Sequence, residues 1–172
     1  LPDEGARQAV SLVENPDVCI IDASTAHRTA NGWVYGFPEL SLGQRRAIAS
    51  SRRIANPGCH ATGLISVAAP LVRMGILPAD YPLCCFSLTG YSGGGKRMIA
   101  RYEADGRDGS LDAPGIYGLD LTHKHLPEVQ RVCGLTQPPV LMPVVDDYRQ
   151  GMATTIMLHS RLLKGAPSAR EV

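Results

Sequence analysis

The chain has 172 residues, 44 % hydrophobic, with 17 Lys and Arg against 16 Asp and Glu. That composition argues for a packed core and against disorder. A formal net charge of +1 with no basic block excludes a nucleic-acid or anionic-membrane surface. The five cysteines are odd in number, contain no CxxC and fit neither a disulfide framework nor a zinc knuckle. A reducing, cytoplasmic location is therefore expected. No stretch has the pattern of a signal or transit peptide, or the length of a membrane span.

"ARQAVSLVEN" places Ala6, Ala9, Val10 and Val13 at helical spacing, and Asn15-Pro16 ends the run. "DVCIIDAS" is nearly all apolar and is expected to be a strand buried on both faces, as in a parallel sheet. Helix then buried strand is half of a βαβ pattern, so residues 1–56 are expected to be the tail of an α/β domain. "TAHRTANGWVYGFPEL" has the composition of a loop, "LGQRRAIASSR" of a short amphipathic helix, and "RRIANPG" of a short strand closed by Pro-Gly. A second helix is predicted from Cys59 to about Met74. Its apolar face would be Leu64, Val67, Ala68, Leu71 and Val72, with a kink at Pro70 and Gly75 as C-cap. "YPLCCFSLTGY" is a predicted strand, "SGGGKR" a turn, and residues 98–120 irregular. "PPVLMPVVDDYRQGMATTIMLHSRL" holds two strand-like segments. Residues 57–172 are thus expected to form an α+β domain. The chain opens without Met and stops where a helix could begin, so both ends are expected to be cuts through a longer protein.

Four stretches carry chemistry. In Asn56-Pro57-Gly58-Cys59, Pro57 holds Asn56 extended, Gly58 permits a sharp turn, and Cys59 falls on the first turn of a helix. Unpaired N–H groups and the helix dipole favour an anion there, and a thiolate is such an anion. The alternative is a small buried residue at a helix start. "YGLDLTHKHLPE" supplies Tyr117, His123, His125 and Glu128. If "LTHKH" is extended, His123 and His125 share a face, as a proton carrier with its neighbour, as a zinc pair, or as two exposed histidines before a Pro-induced turn.

"GYSGGGKR" nearly spells a P-loop, but Arg97 occupies the position that needs Ser or Thr for Mg²⁺. A Gly-rich turn whose backbone approaches a bound group, with Ser92 and Lys96 as contacts, fits better. "DASTAHR" follows a predicted parallel strand, so Ser24, Thr25 and Arg28 could line a crevice at its carboxyl end.

Together "DASTAHR", "WVYGFPEL", "ANPGCHATG", "GYSGGGK" and "YGLDLTHKHLPE", in that order from about residue 18 to 130, resemble the N-acetyl-γ-glutamyl-phosphate reductase family of arginine biosynthesis, in its shorter form. A wider resemblance is to aspartate-semialdehyde and glyceraldehyde-phosphate dehydrogenases. The resemblance implies the remnant of a Rossmann-type dinucleotide-binding domain in residues 1–56. It implies a mixed-sheet catalytic and dimerisation domain, incomplete at its C-terminus, in residues 57–172. It also implies NADP(H) as cofactor, a small acyl phosphate as substrate, no metal, and a homo-oligomer. On that basis Cys59 is the nucleophile and His123, six residues after Tyr117, the acid–base. Tyr117, His125 and Glu128 are substrate contacts, with Arg28 and Lys96 at the phosphate. Ser24, Ser92 and Gly93 contact the cofactor. Two features depart from the family: His60 stands where Tyr is usual, and the Gly-rich dinucleotide fingerprint is absent. A Cys–His hydrolase or acyltransferase and a zinc-binding module are the competing assignments.

Overall fold

The computed structural model describes all 172 residues, which form two compact units, Leu1–Thr62 and Gly63–Val172. In the first unit, α1 (Asp3–Ser11) precedes β1 (Ile20–Asp22). Next come β2 (Val34–Tyr35), α2 (Gln44–Ser50) and β3 (Arg53–Ala55). The strands make a parallel sheet in the order β1-β3-β2.

Two expectations are corrected here. The stretch "TAHRTANGWVYGFPEL" is not all loop: Val34 and Tyr35 pair with Ile54 and Ala55. Nor is β1 buried on both faces, since Ile21 is 68 % exposed. α1 and β1 line a cavity of about 350 Å³ bounded by Ala6, Val10, Ile20 and Asp22.

Helix α3 (Cys59–Arg73) starts where expected and runs through Pro70. The Gly58 carbonyl accepts from the Thr62 N–H at 2.8 Å, which makes Gly58 the cap residue. At the far end Gly75 lies at φ +69°, with Gly75 N–H donating to Val72 and Ile76 N–H to Leu71, the Schellman pairing. The predicted apolar face is rotated. Leu64, Ala68 and Leu71 are buried, but Val67 is exposed and Val72 only half-buried. The buried stripe instead runs through Ala61, Ile65 and Ala69. Alanines let a helix approach its neighbours closely, and that outweighed the bulk of the two valines.

In the second unit β4 (Cys84–Gly90) lies at the centre of a mixed sheet, order β5-β6-β4-β7. The other strands are β5 (Gly115–Ile116), β6 (Val140–Asp146) and β7 (Met152–Met157). β4 runs parallel to β6 and antiparallel to β7. Alternation sorts the sheet into two faces. Cys85, Ser87, Thr89, Leu141, Pro143 and Val145 are buried on one. There α3 comes close to β7: a Cβ on Gly63 would lie 2.3 Å from Thr154 Oγ1. On the other face Ile116, Val140, Met142 and Met157 are exposed and Phe86 and Leu88 half-buried.

Residues 98–120 are not all irregular. The chain leaves β4 through a 3-10 turn (Tyr91–Gly94), enters α4 (Gly95–Tyr102), and later adds β5 to the sheet. Helix formers Lys96, Arg97, Met98 and Arg101 drive α4 once the glycines have made the turn. Met98 and Tyr102 anchor it in a small core with Leu111 and Val145. A further helix, α5 (Leu126–Cys133), carries Pro127 in its first turn, where its missing N–H costs no helical bond.

Candidate active site

Cys59 is exposed on the first turn of α3. The residues before it are held from the loop after β1. Asn56 N–H donates to the Asp22 backbone carbonyl at 2.7 Å, and Arg28 Nε donates to the Asn56 carbonyl at 3.0 Å. Arg28 also donates to the Ala23 carbonyl at 3.2 Å. Its guanidinium is therefore committed to backbone carbonyls beside the thiol. Ser24 donates through its N–H and its hydroxyl to the Asp22 carboxylate, at 2.9 and 2.8 Å. The remaining thiols differ from Cys59. Burial pushes Cys85 up to about 11 and Cys133 up to about 12, so both are protonated at neutral pH. Cys84 is half-buried, and Cys19, though exposed, lies in a loop before β1.

The predicted residues of the second unit fall in two places. Ser92 and Gly93 lie in the turn after β4, where Ser92 N–H donates to the Arg149 carbonyl and Tyr91 N–H to that of Tyr148, both at 2.9 Å. Gly90 must be glycine for this pairing, because a Cβ there would sit 2.6 Å from the Tyr148 carbonyl oxygen. Gly93 is exposed, and so is Lys96 on the first turn of α4. Strand, Gly-rich turn and helix match the order of a P-loop, and Arg97 still stands where the magnesium hydroxyl belongs.

Tyr117, His123 and His125 come together between β5 and α5, and Glu128 lies on the first turn of α5. "LTHKH" is not extended through to His125. That residue takes helical angles at the start of α5, because Leu126 already begins the helix. The two imidazoles meet all the same, edge to face at 4.7 Å, with Tyr117 6.1 Å from His123. The approach is a tight turn in which Leu121, a non-glycine, holds φ +58°. The neighbouring Asp120 carboxylate accepts from the N–H and hydroxyl of Thr122. His125 N–H donates to His123 Nδ1 at 3.2 Å, so the proton of the neutral His123 ring is assigned to Nε2. Burial, and next the Lys124 charge, hold His123 below the ordinary imidazole pKa. His123 is half-buried, whereas His125 and Glu128 are buried. No three His, Cys, Asp or Glu side chains converge as a metal site, so the zinc assignment lacks a ligand set.

Two residues of "DASTAHR" gain a role only from the structure. Asp22 and His27 form a buried pair, with His27 Nδ1 2.6 Å from the carboxylate. An Asp closing a parallel strand, followed by Ser and His, was the available signal.

Residues 59–171 match the family model described as semialdehyde dehydrogenase, dimerisation domain. N-acetyl-gamma-glutamyl-phosphate reductase 2 of Pseudomonas putida is 51 % identical over 174 residues, covering all of this chain and 55 % of the relative. The N-acetyl-gamma-glutamyl-phosphate reductase of Trichormus variabilis is 47 % identical over 176 residues, with the same coverage. The chain thus spans about half the length of the curated relatives it matches. Among solved structures, aspartate semialdehyde dehydrogenase II from Vibrio cholerae aligns with a TM-score of 0.63 at 15 % identity, over 90 % of this chain and 52 % of that one. At that identity the likeness is one of fold. No helix is long and apolar enough to cross a membrane. The chain belongs to the semialdehyde dehydrogenase family, through the dimerisation domain that begins at Cys59.

Proposed function

We propose that this chain carries the reacting thiol of a cytoplasmic N-acetyl-γ-glutamyl-phosphate reductase, which converts the acyl phosphate to the semialdehyde. The observation that carries the proposal is Cys59, exposed on the first turn of α3 behind a backbone clamped at Asn56. The Cys59 thiolate attacks the acyl carbon, a C–S bond forms, and the C–O bond to phosphate breaks. NADPH, when bound, would supply the hydride that reduces the thioester. The C–S bond then breaks and the thiolate leaves, which sulfur does better than oxygen. His123 hydrogen-bonds the developing oxyanion from Nε2; in its protonated form it gives that oxygen a proton to make the thiohemiacetal hydroxyl, and takes the proton back as the C–S bond breaks to aldehyde and thiolate. His125 holds the His123 tautomer from behind, while Tyr117 and Glu128 belong to the substrate side of the same cluster. Lys96 is a stronger phosphate contact than Arg28, whose nitrogens already serve backbone carbonyls.

The turn after β4 would hold the nicotinamide. Gly93 and Gly95 expose backbone there, and a Cβ on Gly95 would meet nothing within 4 Å, so a flat ring could lie against them. The first unit, a parallel sheet flanked by helices, is the matching part of a dinucleotide-binding domain, with Ser24 at a strand's carboxyl end. The apolar sheet face bearing Phe86, Met142 and Met157 receives a second copy of the chain. Met142→Glu is expected to shift sedimentation from dimer to monomer, and an unchanged mass would move the interface elsewhere.

The deciding experiment omits the cofactor. N-acetyl-γ-glutamyl phosphate should release phosphate once and leave an acyl mass on the Cys59 peptide. Turnover with no nicotinamide would instead mean a hydrolase, and no adduct would remove Cys59 as nucleophile.

A further inference from the structure

The Asp22–His27 pair has no part in the chemistry above, yet it sits beneath the loop that holds the nucleophile. Asp22 is 8 % exposed, and the His27 side chain 11 %. His27 Nδ1 approaches the carboxylate to 2.6 Å, and the ring stacks on Trp33 at 4.1 Å and 17°. Ser24 N–H and hydroxyl complete the carboxylate's shell. One residue further, Thr25 N–H donates to Asp3 at 3.0 Å, tying the loop to α1.

Both peptide groups of Asn56 end in this loop. Its N–H goes to the Asp22 carbonyl, and its carbonyl takes Arg28 Nε, next to His27 in sequence. Pro57 follows with a fixed φ, so the orientation of the Asn56 carbonyl passes almost rigidly to Gly58 and the first turn of α3. The loop conformation therefore sets where Cys59 sits.

We propose that His27 is a positioning residue for the Cys59 thiol: bonded to Asp22 and stacked on Trp33, it locks the loop that clamps Asn56. This rests on Cys59 being the nucleophile. Without the imidazole, a buried carboxylate loses its strongest partner and the loop must rearrange to hydrate it. Arg28 then lets go of Asn56, and the thiol loses its fixed geometry.

The test compares iodoacetamide rates at Cys59 and Cys19 in the full chain, by peptide mass spectrometry at one pH. Trp33, the chain's single tryptophan, reports on the loop by its emission. His27→Phe keeps the stack and removes the bond to Asp22. His27→Asn returns an amide nitrogen near the place of Nδ1. The wild-type chain should react faster at Cys59 than at Cys19. His27→Phe should lower the Cys59-to-Cys19 ratio roughly tenfold with Trp33 emission altered, and His27→Asn should recover most of it. A general loss of structure would instead raise the rates of buried Cys85 and Cys133, which the same spectra read.

A folded His27→Phe whose ratio stays within about twofold of wild type overturns the proposal. Should that variant fail to fold, Arg28→Met cuts the strap at a half-buried side chain, and an unchanged ratio there overturns it equally. A wild-type Cys59 no faster than Cys19 removes the nucleophile as well, so the two failures are told apart by the wild-type rate.

Discussion

The candidate nucleophile and the candidate proton carrier are held in opposite ways. Around Cys59 the reacting group is exposed and everything behind it is hydrogen-bonded backbone, fastened by Arg28 and the Asp22 loop. Around His123 the reacting group is itself half-buried, touched by two rings and tuned by burial. The difference follows from what each must do. A thiolate needs access and an electrostatic setting made of fixed dipoles. An imidazole needs a set tautomer and a pKa near its working pH, which neighbouring groups supply.

The sharpest way to break this comparison is Cys59→Ala, which should abolish turnover without changing the melting curve. Residual wild-type activity would end the thiol assignment. Next in size, His123→Asn should lower the rate by roughly 10² to 10⁴, the usual range for acid–base assistance. An unchanged rate would move the role to His125. The pH profile sharpens the same point. Since His123 titrates below the free imidazole value of about 6.5, its imidazolium forms only as pH falls past that value. Reduction, which draws on its proton, should accelerate in that window, while semialdehyde oxidation loses its base there and should slow. Matching profiles in the two directions would remove His123 from proton transfer.

A smaller effect is expected at Gly90. Gly90→Ala forces a Cβ into the backbone of Tyr148 and Arg149 and should cost about 1–3 kcal/mol, read by denaturant unfolding. The smallest effect concerns acid. Burial by itself would raise Asp22, but the bonds from His27 and Ser24 hold it below the usual carboxylate range. Its stabilisation is therefore full above the unfolded value of about 3.9 and lost as pH falls through the folded value. The wild-type melting temperature should drop over that window, and the drop should be shallower in His27→Phe.

Much of the local structure was legible because its causes are local. Apolar spacing announced α1, α2 and α3. Pro57-Gly58 marked the end of β3, Gly75 the end of α3, and the apolar runs β4, β6 and β7. Two elements, α4 and α5, escaped because glycines and a proline stand at their starts, where such residues are also turn signals. The pairs β2 and β5 are too short to carry a period and exist only through their partners β3 and β6.

For function the division is similar. By itself the sequence determined that one cysteine follows Asn-Pro-Gly at a helix start, that two histidines lie close to a tyrosine, and that a Gly-rich turn follows a strand. Those facts rest on adjacency along the chain. Only the tertiary structure decided that Arg28 serves the Asn56 carbonyl and that His125 fixes the proton of His123. It alone paired Asp22 with His27 under Trp33 and left Ile116, Val140, Met142 and Met157 exposed on one face of the mixed sheet. The Arg28–Asn56 bond spans 28 positions, and it, like the burial that tunes a pKa and the side-chain pairs within a loop, depends on which strands pair and which face a helix turns inward. Those are properties of packing, not of any short stretch of sequence.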